Sequence, residues 1–165
     1  MATFNLGQKN KPGTLHCAEA TFDIGVTGTL AAADIVKSGV FIPDGAVITR
    51  AWYHVHTTFT GAGADAATIK LGTTSNDDNM VAAIAINAAD PGVWDAGVRG
   101  TLIGSPVLGT NAALGDTAIE YAAVLAASAV HCTANEEIMI TTATNTVTAG
   151  KMTVYVEYVL TGDLS

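Results

Sequence analysis

Charged residues are scarce in this chain of 165 residues, in which Asp, Glu, Lys and Arg together make up 13% of the sequence. An ordinary soluble domain has roughly 25%. Arginine occurs only twice, at Arg50 and Arg99, and an excess of Asp and Glu sets the formal net charge at −8. Nucleic-acid binding depends on clustered Lys and Arg, so this balance argues against nucleic acid and against anionic membranes as partners. With a mean hydropathy of +0.37, the chain is predicted to cover much of its exterior with neighbouring subunits, the alternative being an uncharged but soluble Thr/Ala/Gly surface.

Long apolar runs are also absent, and none approaches the roughly 20 residues of a membrane-spanning helix. The N-terminus lacks the apolar core of a secretory signal, which predicts synthesis in a cytoplasm.

Two cysteines, Cys17 and Cys132, are too few for a disulfide framework. Each follows a histidine, His16 and His131, so a zinc site is conceivable. Because neighbouring strand residues point to opposite faces, we instead expect a buried pair of free thiols.

Threonine, alanine and glycine dominate the composition, with 23, 29 and 17 residues respectively. Thr and Gly with scattered Val and Ile suit short strands and tight loops better than helices. Turn signals recur about every ten residues, which predicts an all-β fold, a jelly-roll-like β-sandwich with one or two short helical turns. We expect one such domain over residues 15–165, preceded by an extended N-terminal arm over residues 1–14.

The clearest strand signal follows the turn residues Pro43, Asp44 and Gly45. Since side chains alternate across a strand, one set is predicted to face the core: Val47, Thr49, Ala51, Tyr53, Val55, Thr57 and Phe59. The other set is predicted to face outward: Ile48, Arg50, Trp52, His54, His56 and Thr58. A large aromatic with an arginine and two imidazoles is typical of a protein–protein contact. The sequence therefore predicts a subunit interface at Arg50, Trp52, His54 and His56.

Other segments give weaker signals. The predicted elements are a strand near 17–24, a short helix at 29–36, a single helical turn at about 91–97 with Val93 and Trp94 inward, and a hairpin of strands 137–142 and 151–160 closed by Ala149-Gly150. Residues 118–130 fit either helix or strand.

No residue pattern points to catalysis, so we expect that the chain is not an enzyme and holds no cofactor. The pairs Asp77-Asp78 and Glu136-Glu137 are predicted to be solvated residues rather than the separated carboxylates of a glycosidase. His54 and His56 share a strand face and are weak metal candidates, and Ser75–Asn79 is a weak calcium candidate. Trp52 offers the one credible platform for stacking a sugar.

Four segments carry distinctive patterns of turn and strand. They are Ile42-Pro-Asp-Gly-Ala-Val-Ile48, Thr57-Thr-Phe59, Ala67-Thr-Ile-Lys-Leu-Gly-Thr73 and Gly150-Lys-Met-Thr-Val-Tyr-Val-Glu-Tyr158. In these segments the chain resembles the capsid decoration (cement) proteins of tailed phages. The likeness spans roughly residues 38–161, and its motifs are structural patterns rather than chemical signatures.

The resemblance implies a virion protein, made in the host cytoplasm, that forms a homotrimer on the outer capsid surface and clamps major capsid subunits. The family has no catalytic residues to transfer. We expect the arm, through Phe4, Leu6, Lys9 and Lys11, to contact the capsid, while the outward set of the long strand holds the trimer together. A carbohydrate-binding β-sandwich module and a receptor-binding head-fibre protein remain the alternatives.

Overall fold

The computed structural model describes residues 14–86, 92–103 and 130–161. Within these residues the chain forms nine strands and two single-turn helices. They are β1 (Leu15–Asp23), α1 (Ile24–Thr27), β2 (Ile35–Ile42), β3 (Ala46–Gly61), α2 (Ala62–Asp65), β4 (Thr68–Thr73), β5 (Asn76–Ala85), β6 (Arg99–Ile103), β7 (Val130–His131), β8 (Glu136–Thr144) and β9 (Val147–Leu160). The predicted all-β sandwich is confirmed. The arm residues Phe4, Leu6, Lys9 and Lys11, and the ambiguous residues 118–129, lie outside the described residues.

The strands form two antiparallel sheets packed face to face. Sheet I has the order β1-β9-β3-β6, with the short β7 also paired to β3, and sheet II has the order β2-β8-β4-β5. Among the described strands, β4 and β5 are consecutive, adjacent and antiparallel. Elsewhere the chain crosses from one sheet to the other at nearly every connection. Leaving β7 aside, eight strands wound in this way make a jelly roll.

Irregularities in β3 change the predicted inward and outward sets. Ala51, Tyr53, Val55 and Phe59 are buried as predicted, but Ile48 is fully buried instead of outward. The register with β9 shifts between Ile48 and Arg50, between Val55 and Thr57, and twice more between Thr57 and Gly61. Each β-bulge inserts a residue and reverses the alternation beyond it. Thr49 and Thr57 consequently face solvent, and Ile48 joins Ala46 in the core.

The helix predicted at residues 29–36 is wrong. The segment makes a turn instead, in which Ala31 donates its backbone N–H to Asp34 Oδ2 at 2.7 Å, and Ala33 takes a positive φ of 68°. Strand β2 then begins at Ile35, within the segment predicted to be helical. Its residues Val36, Val40 and Ile42 alternate toward the core, as in a strand. The two helical turns occur instead at α1 and α2.

The predicted hairpin of residues 137–142 and 151–160 is also wrong, since β8 and β9 lie in different sheets. Ala149 and Gly150 are not turn residues but belong to β9. The ring of Phe59 packs directly against the Cα of Gly150. A Cβ atom at position 150 would lie 2.4 Å from two carbons of this ring. The glycine in the sequence therefore marks a close approach between strands of sheet I, not a loop.

A cluster of three aromatic rings fills one end of the core. Trp94 packs 5.6 Å from Tyr53 and 6.0 Å from Phe59, measured between ring centroids. The polar atoms of these rings are satisfied, because Tyr53 donates its hydroxyl proton to the carbonyl of Val93 and the indole N–H points to the carbonyl of Ile84. Val93 and Trp94 are buried as predicted, but described residues 92–97 form turns rather than a helix.

The described residues include no helix of the length and apolarity that a membrane span requires.

We predict that Gly150→Ala destabilises the fold. A methyl group would collide with the Phe59 ring and would also force alanine into a φ of +139°. Overpacking of this kind lowers the free energy of unfolding by about 1–3 kcal/mol. The unfavourable backbone angle lowers it further. The free energy of unfolding from urea titration is the measurement.

Gly63→Ala is the matched control, because Gly63 has a φ of +71° with open space around it. Its cost is that of placing alanine at a positive φ without a steric clash. If the two variants are equally stable, the steric account of Gly150 is incorrect. Adding Phe59→Leu to Gly150→Ala is expected to recover part of the loss.

Candidate interaction surface

The solvent-facing side of sheet I, called here the outer face, collects the predicted interface residues. Directly opposed residues in antiparallel strands share a face, so the register defines three rows across β1, β9, β3 and β6. The rows are Cys17–Glu157–Arg50, then Glu19–Tyr155–Trp52, then Thr21–Thr153–His54–Arg99.

Trp52 lies at the centre of the outer face and is half-buried in the subunit. Its indole stacks on the ring of Tyr155, with centroids 5.3 Å apart and planes inclined by 13°. The guanidinium of Arg50 lies over the indole, with Cζ 5.0 Å from the ring centroid, which is a cation–π contact. Because Arg50 and Tyr155 already pack on the indole, the ring is a poor platform for a sugar.

A hydrogen-bond chain runs across the same face. His56 Nε2 and Thr153 Oγ1 are 2.9 Å apart, and Thr153 Oγ1 is also 2.9 Å from Thr21 Oγ1. Thr153 points outward yet is only 3% exposed, because neighbouring side chains close over it. His54 packs edge-on against His56, with centroids 4.5 Å apart. His56 is thus held within the subunit by Thr153 of β9 and by the ring of His54.

Arg99 is an outer-face residue that the sequence reasoning missed. It is the register partner of His54 in β6, which places both arginines of the chain on one face. Partial burial lowers the pKa of His54, and the charges of His56 and Arg99 lower it further. The pairing of β6 with β3 joins residues far apart in sequence, so no local signal could have found Arg99.

The two arginines differ from the described lysines in whether they form ion pairs. Lys37, Lys70 and Lys151 form ion pairs with Glu137, Asp77 and Asp23 at 3.8, 3.3 and 3.0 Å. No described carboxylate forms an ion pair with Arg50 or Arg99, and both are exposed. The structure therefore leaves the two arginines available for another molecule.

The cysteines do not form the buried pair that the sequence predicts. Both are free, but Cys17 is exposed and only Cys132 is buried. Burial, with the charges of Glu136 and Asp44, raises the pKa of the Cys132 thiol to about 11. In the described ranges, no three His, Cys, Asp or Glu side chains lie close enough together to bind a metal ion. The three metal candidates from the sequence therefore gain no additional ligand of these types there. They are the two cysteines with their histidines, the His54–His56 pair and Ser75–Asn79.

The expectation that Glu136 and Glu137 are solvated is wrong, because they are only 5% and 7% exposed. Glu136 Oε2 accepts the backbone N–H of Ser75 at 2.8 Å, in the turn between β4 and β5. Glu137 Oε1 accepts the N–H of Gly39 at 2.8 Å, where the register of β2 shifts and ladder bonds are interrupted. Both carboxylates therefore complete the backbone hydrogen bonding of sheet II.

We predict that Glu137→Ala lowers the free energy of unfolding by about 1.5–3 kcal/mol, the usual range for a hydrogen bond to a charged group. The variant leaves the Gly39 N–H without its acceptor and Lys37 without its ion-pair partner. Thermal and urea unfolding measure the loss.

Asp78→Ala is the matched control, since Asp78 lies in the edge strand β5. We expect this substitution to change the free energy of unfolding by no more than about 0.5 kcal/mol. Equal effects of the two substitutions would contradict the assigned role of Glu137.

Neither a protein-family model nor a curated protein matches this sequence. Solved structures do match it. A chain of the Cyanophage Pam1 capsid asymmetric unit aligns with a TM-score of 0.58 and 15% identity, over 96% of this chain and 94% of its own. A chain of the acidic stable capsid of Helicobacter pylori bacteriophage KHP30 aligns with a TM-score of 0.56 and 12% identity, over 92% of each chain. A chain from the capsid of Ralstonia phage GP4 aligns with a TM-score of 0.53 and 15% identity, over 92% of this chain and 88% of its own. At such identities the likeness is one of fold: this chain shares its jelly roll with chains found in three phage capsids.

Proposed function

We propose that this chain is a structural protein of a phage virion that decorates the outer surface of the capsid as a homotrimer and clamps neighbouring major capsid subunits. Its role is mechanical rather than enzymatic. The observation that carries the proposal is the fold, which aligns over almost the whole chain with chains of three phage capsids. Since a jelly roll also hosts other functions, the residues of the outer face provide the second line of support.

The outer face has the composition of an assembly surface. Tryptophan, tyrosine and arginine are the residue types that most often dominate the energetics of protein–protein contacts, and Trp52, Tyr155 and Arg50 form one stacked group there. The low charge of the chain agrees with an exterior covered by neighbours. The net charge of −8 also suits a protein outside the shell, because packaged DNA would repel a negative lining.

The N-terminal arm supplies the proposed contact with the capsid. Phe4 and Leu6 offer apolar contacts, and Lys9 and Lys11 carry two of the five lysines of the chain. Among the described residues, the pairing of sheet I begins with β1 at Leu15.

We predict that Trp52→Ala dissociates the homotrimer while the subunit stays folded. A buried aromatic near the centre of an interface commonly contributes 2 kcal/mol or more, which is about 30-fold in the dissociation constant. Native mass spectrometry over a concentration series measures the change. Phe41→Ala is the control, since Phe41 is an exposed aromatic on β2 of the other sheet and is 48% exposed. A Trp52→Ala protein that assembles as the unmodified chain does would contradict this interface.

Removal of residues 1–14 is predicted to leave the fold intact and to weaken attachment to the capsid. The measurement is co-sedimentation of the truncated chain with shells of the parent virion that lack this protein, with circular dichroism as the folding check. The variants Phe4→Ser/Leu6→Ser and Lys9→Gln/Lys11→Gln separate apolar from ionic contributions. Undiminished co-sedimentation of the truncated chain would show that the arm does not make this contact.

A further inference from the structure

The outer face carries its unpaired positive charge on one side. Arg50, His54 and His56 lie on β3, and Arg99 lies on the edge strand β6. Burial is the main cause of the lowered pKa of His54, and the charges of His56 and Arg99 lower it further. A lowered pKa favours the neutral imidazole, so the two arginines supply the positive charge on this side. We call these four residues the basic half of the outer face.

Unpaired negative charge lies on the other side, toward the opposite edge strand. Glu19 is exposed on β1, and Glu157 lies on the neighbouring strand β9, paired with Cys17 one row away. Burial raises the pKa of the Cys17 thiol, and the charges of Glu157 and Glu19 raise it further, which reports a negative potential there. We call Glu19 and Glu157 the acidic half. Nearby Asp23 is not counted in it, because Lys151 neutralises it at 3.0 Å.

The two halves do not neutralise each other within the subunit. Arg50 and Glu157 are direct register partners on β3 and β9, a placement from which an ion pair can form. The guanidinium instead lies on the indole of Trp52, and no ion pair joins the basic and acidic halves in the described structure. Between the halves, the stacked rings of Trp52 and Tyr155 form an apolar centre.

We propose that copies of this chain assemble by placing the basic half of one outer face on the acidic half of the next, around the Trp52–Tyr155 pair. The inference rests on the homo-oligomer of the proposed function and names its two contacting surfaces. In the proposed trimer the basic half of each copy meets one neighbour and its acidic half meets the other, so the contact is heterologous and closes into a ring when the rotation between copies permits. Complementary charge fixes the orientation of the copies and disfavours like-with-like encounters.

The argument for a second copy, rather than an unrelated acidic protein, is that both complementary patches lie on one face of this chain. The basic half alone would fit any carboxylate-rich surface. A carboxylate-rich partner would leave the acidic half without an oppositely charged surface. In self-assembly, both the basic and the acidic half are paired with a surface of opposite charge.

The test is a charge exchange, followed by analytical ultracentrifugation and native mass spectrometry of the full-length chain. Arg50→Glu/Arg99→Glu makes the whole face negative, and Glu19→Lys/Glu157→Lys makes it positive. Each is expected to raise the dissociation constant of the oligomer about tenfold or more, since facing like charges cost several kcal/mol. The chain with all four substitutions has its two halves exchanged and is expected to assemble like the unmodified protein.

Two controls make the result specific. Asp44→Lys/Asp78→Lys changes the net charge as Glu19→Lys/Glu157→Lys does, but at carboxylates outside the outer face, and is expected to leave assembly unchanged. Unfolding midpoints show that each variant is folded, and Arg50→Gln/Arg99→Gln replaces the glutamate variant if that one does not fold.

Several outcomes overturn the inference. The inference is wrong if either charge-reversed double variant assembles like the unmodified chain. It is also wrong if the dissociation constant of the fourfold variant is as high as those of the double variants. In both cases an oligomeric unmodified chain leaves the proposed trimer standing. A monomeric unmodified chain overturns the trimer and the inference together, while co-sedimentation with shells still tests the virion role separately.

Discussion

The pairing of β3 with β9 is the constraint on which the rest of the molecule depends. These are the two longest strands, and their ladder runs through the middle of sheet I. On its inner side Ala51, Tyr53 and Val55 are paired with Val156, Val154 and Met152, all almost fully buried. On its outer side the same register sets Trp52 against Tyr155 and Arg50 against Glu157. The core and the candidate interface are thus two sides of one ladder, and a slip of one residue would exchange them.

The part of the fold that could be predicted from the sequence follows from local alternation. Trp52, His54 and Tyr53 fall on the expected sides because the stretch between the first two bulges keeps a strict period of two. Ile48 does not, since the shift at Thr49 depends on where β9 offers its partners and leaves no mark in the local pattern. The assignment of β8 and β9 to different sheets was likewise beyond local reasoning: Gly150 looks like a turn glycine until the ring of Phe59 is placed beside it. Arg99 and the buried Glu137 were missed for the same reason, because their neighbours come from distant segments.

Many carboxylates of this acidic chain have hydrogen-bond or ion-pair partners within the subunit. Several carboxylates are used locally as acceptors for backbone N–H groups in turns: Asp34 for Ala31, Asp65 for Gly61 and Asp95 for Gly92. Others pair with lysines. This use of Asp and Glu as turn acceptors fits a chain that has few lysines and many short connections. Carboxylates without such a partner, such as Glu19 and Glu157, are therefore informative about contacts with other molecules.

We propose that this jelly roll is an outer component of a phage shell and that the outer face of sheet I joins its copies. A cryo-electron-microscopy reconstruction of the parent virion tests it most directly. The account predicts copies of the fold in groups of three on the outside of the shell, with Trp52 and Tyr155 at the contacts between copies. Density for the fold inside the shell, its absence from the capsid, or copies that leave the outer face of sheet I exposed to solvent would contradict it.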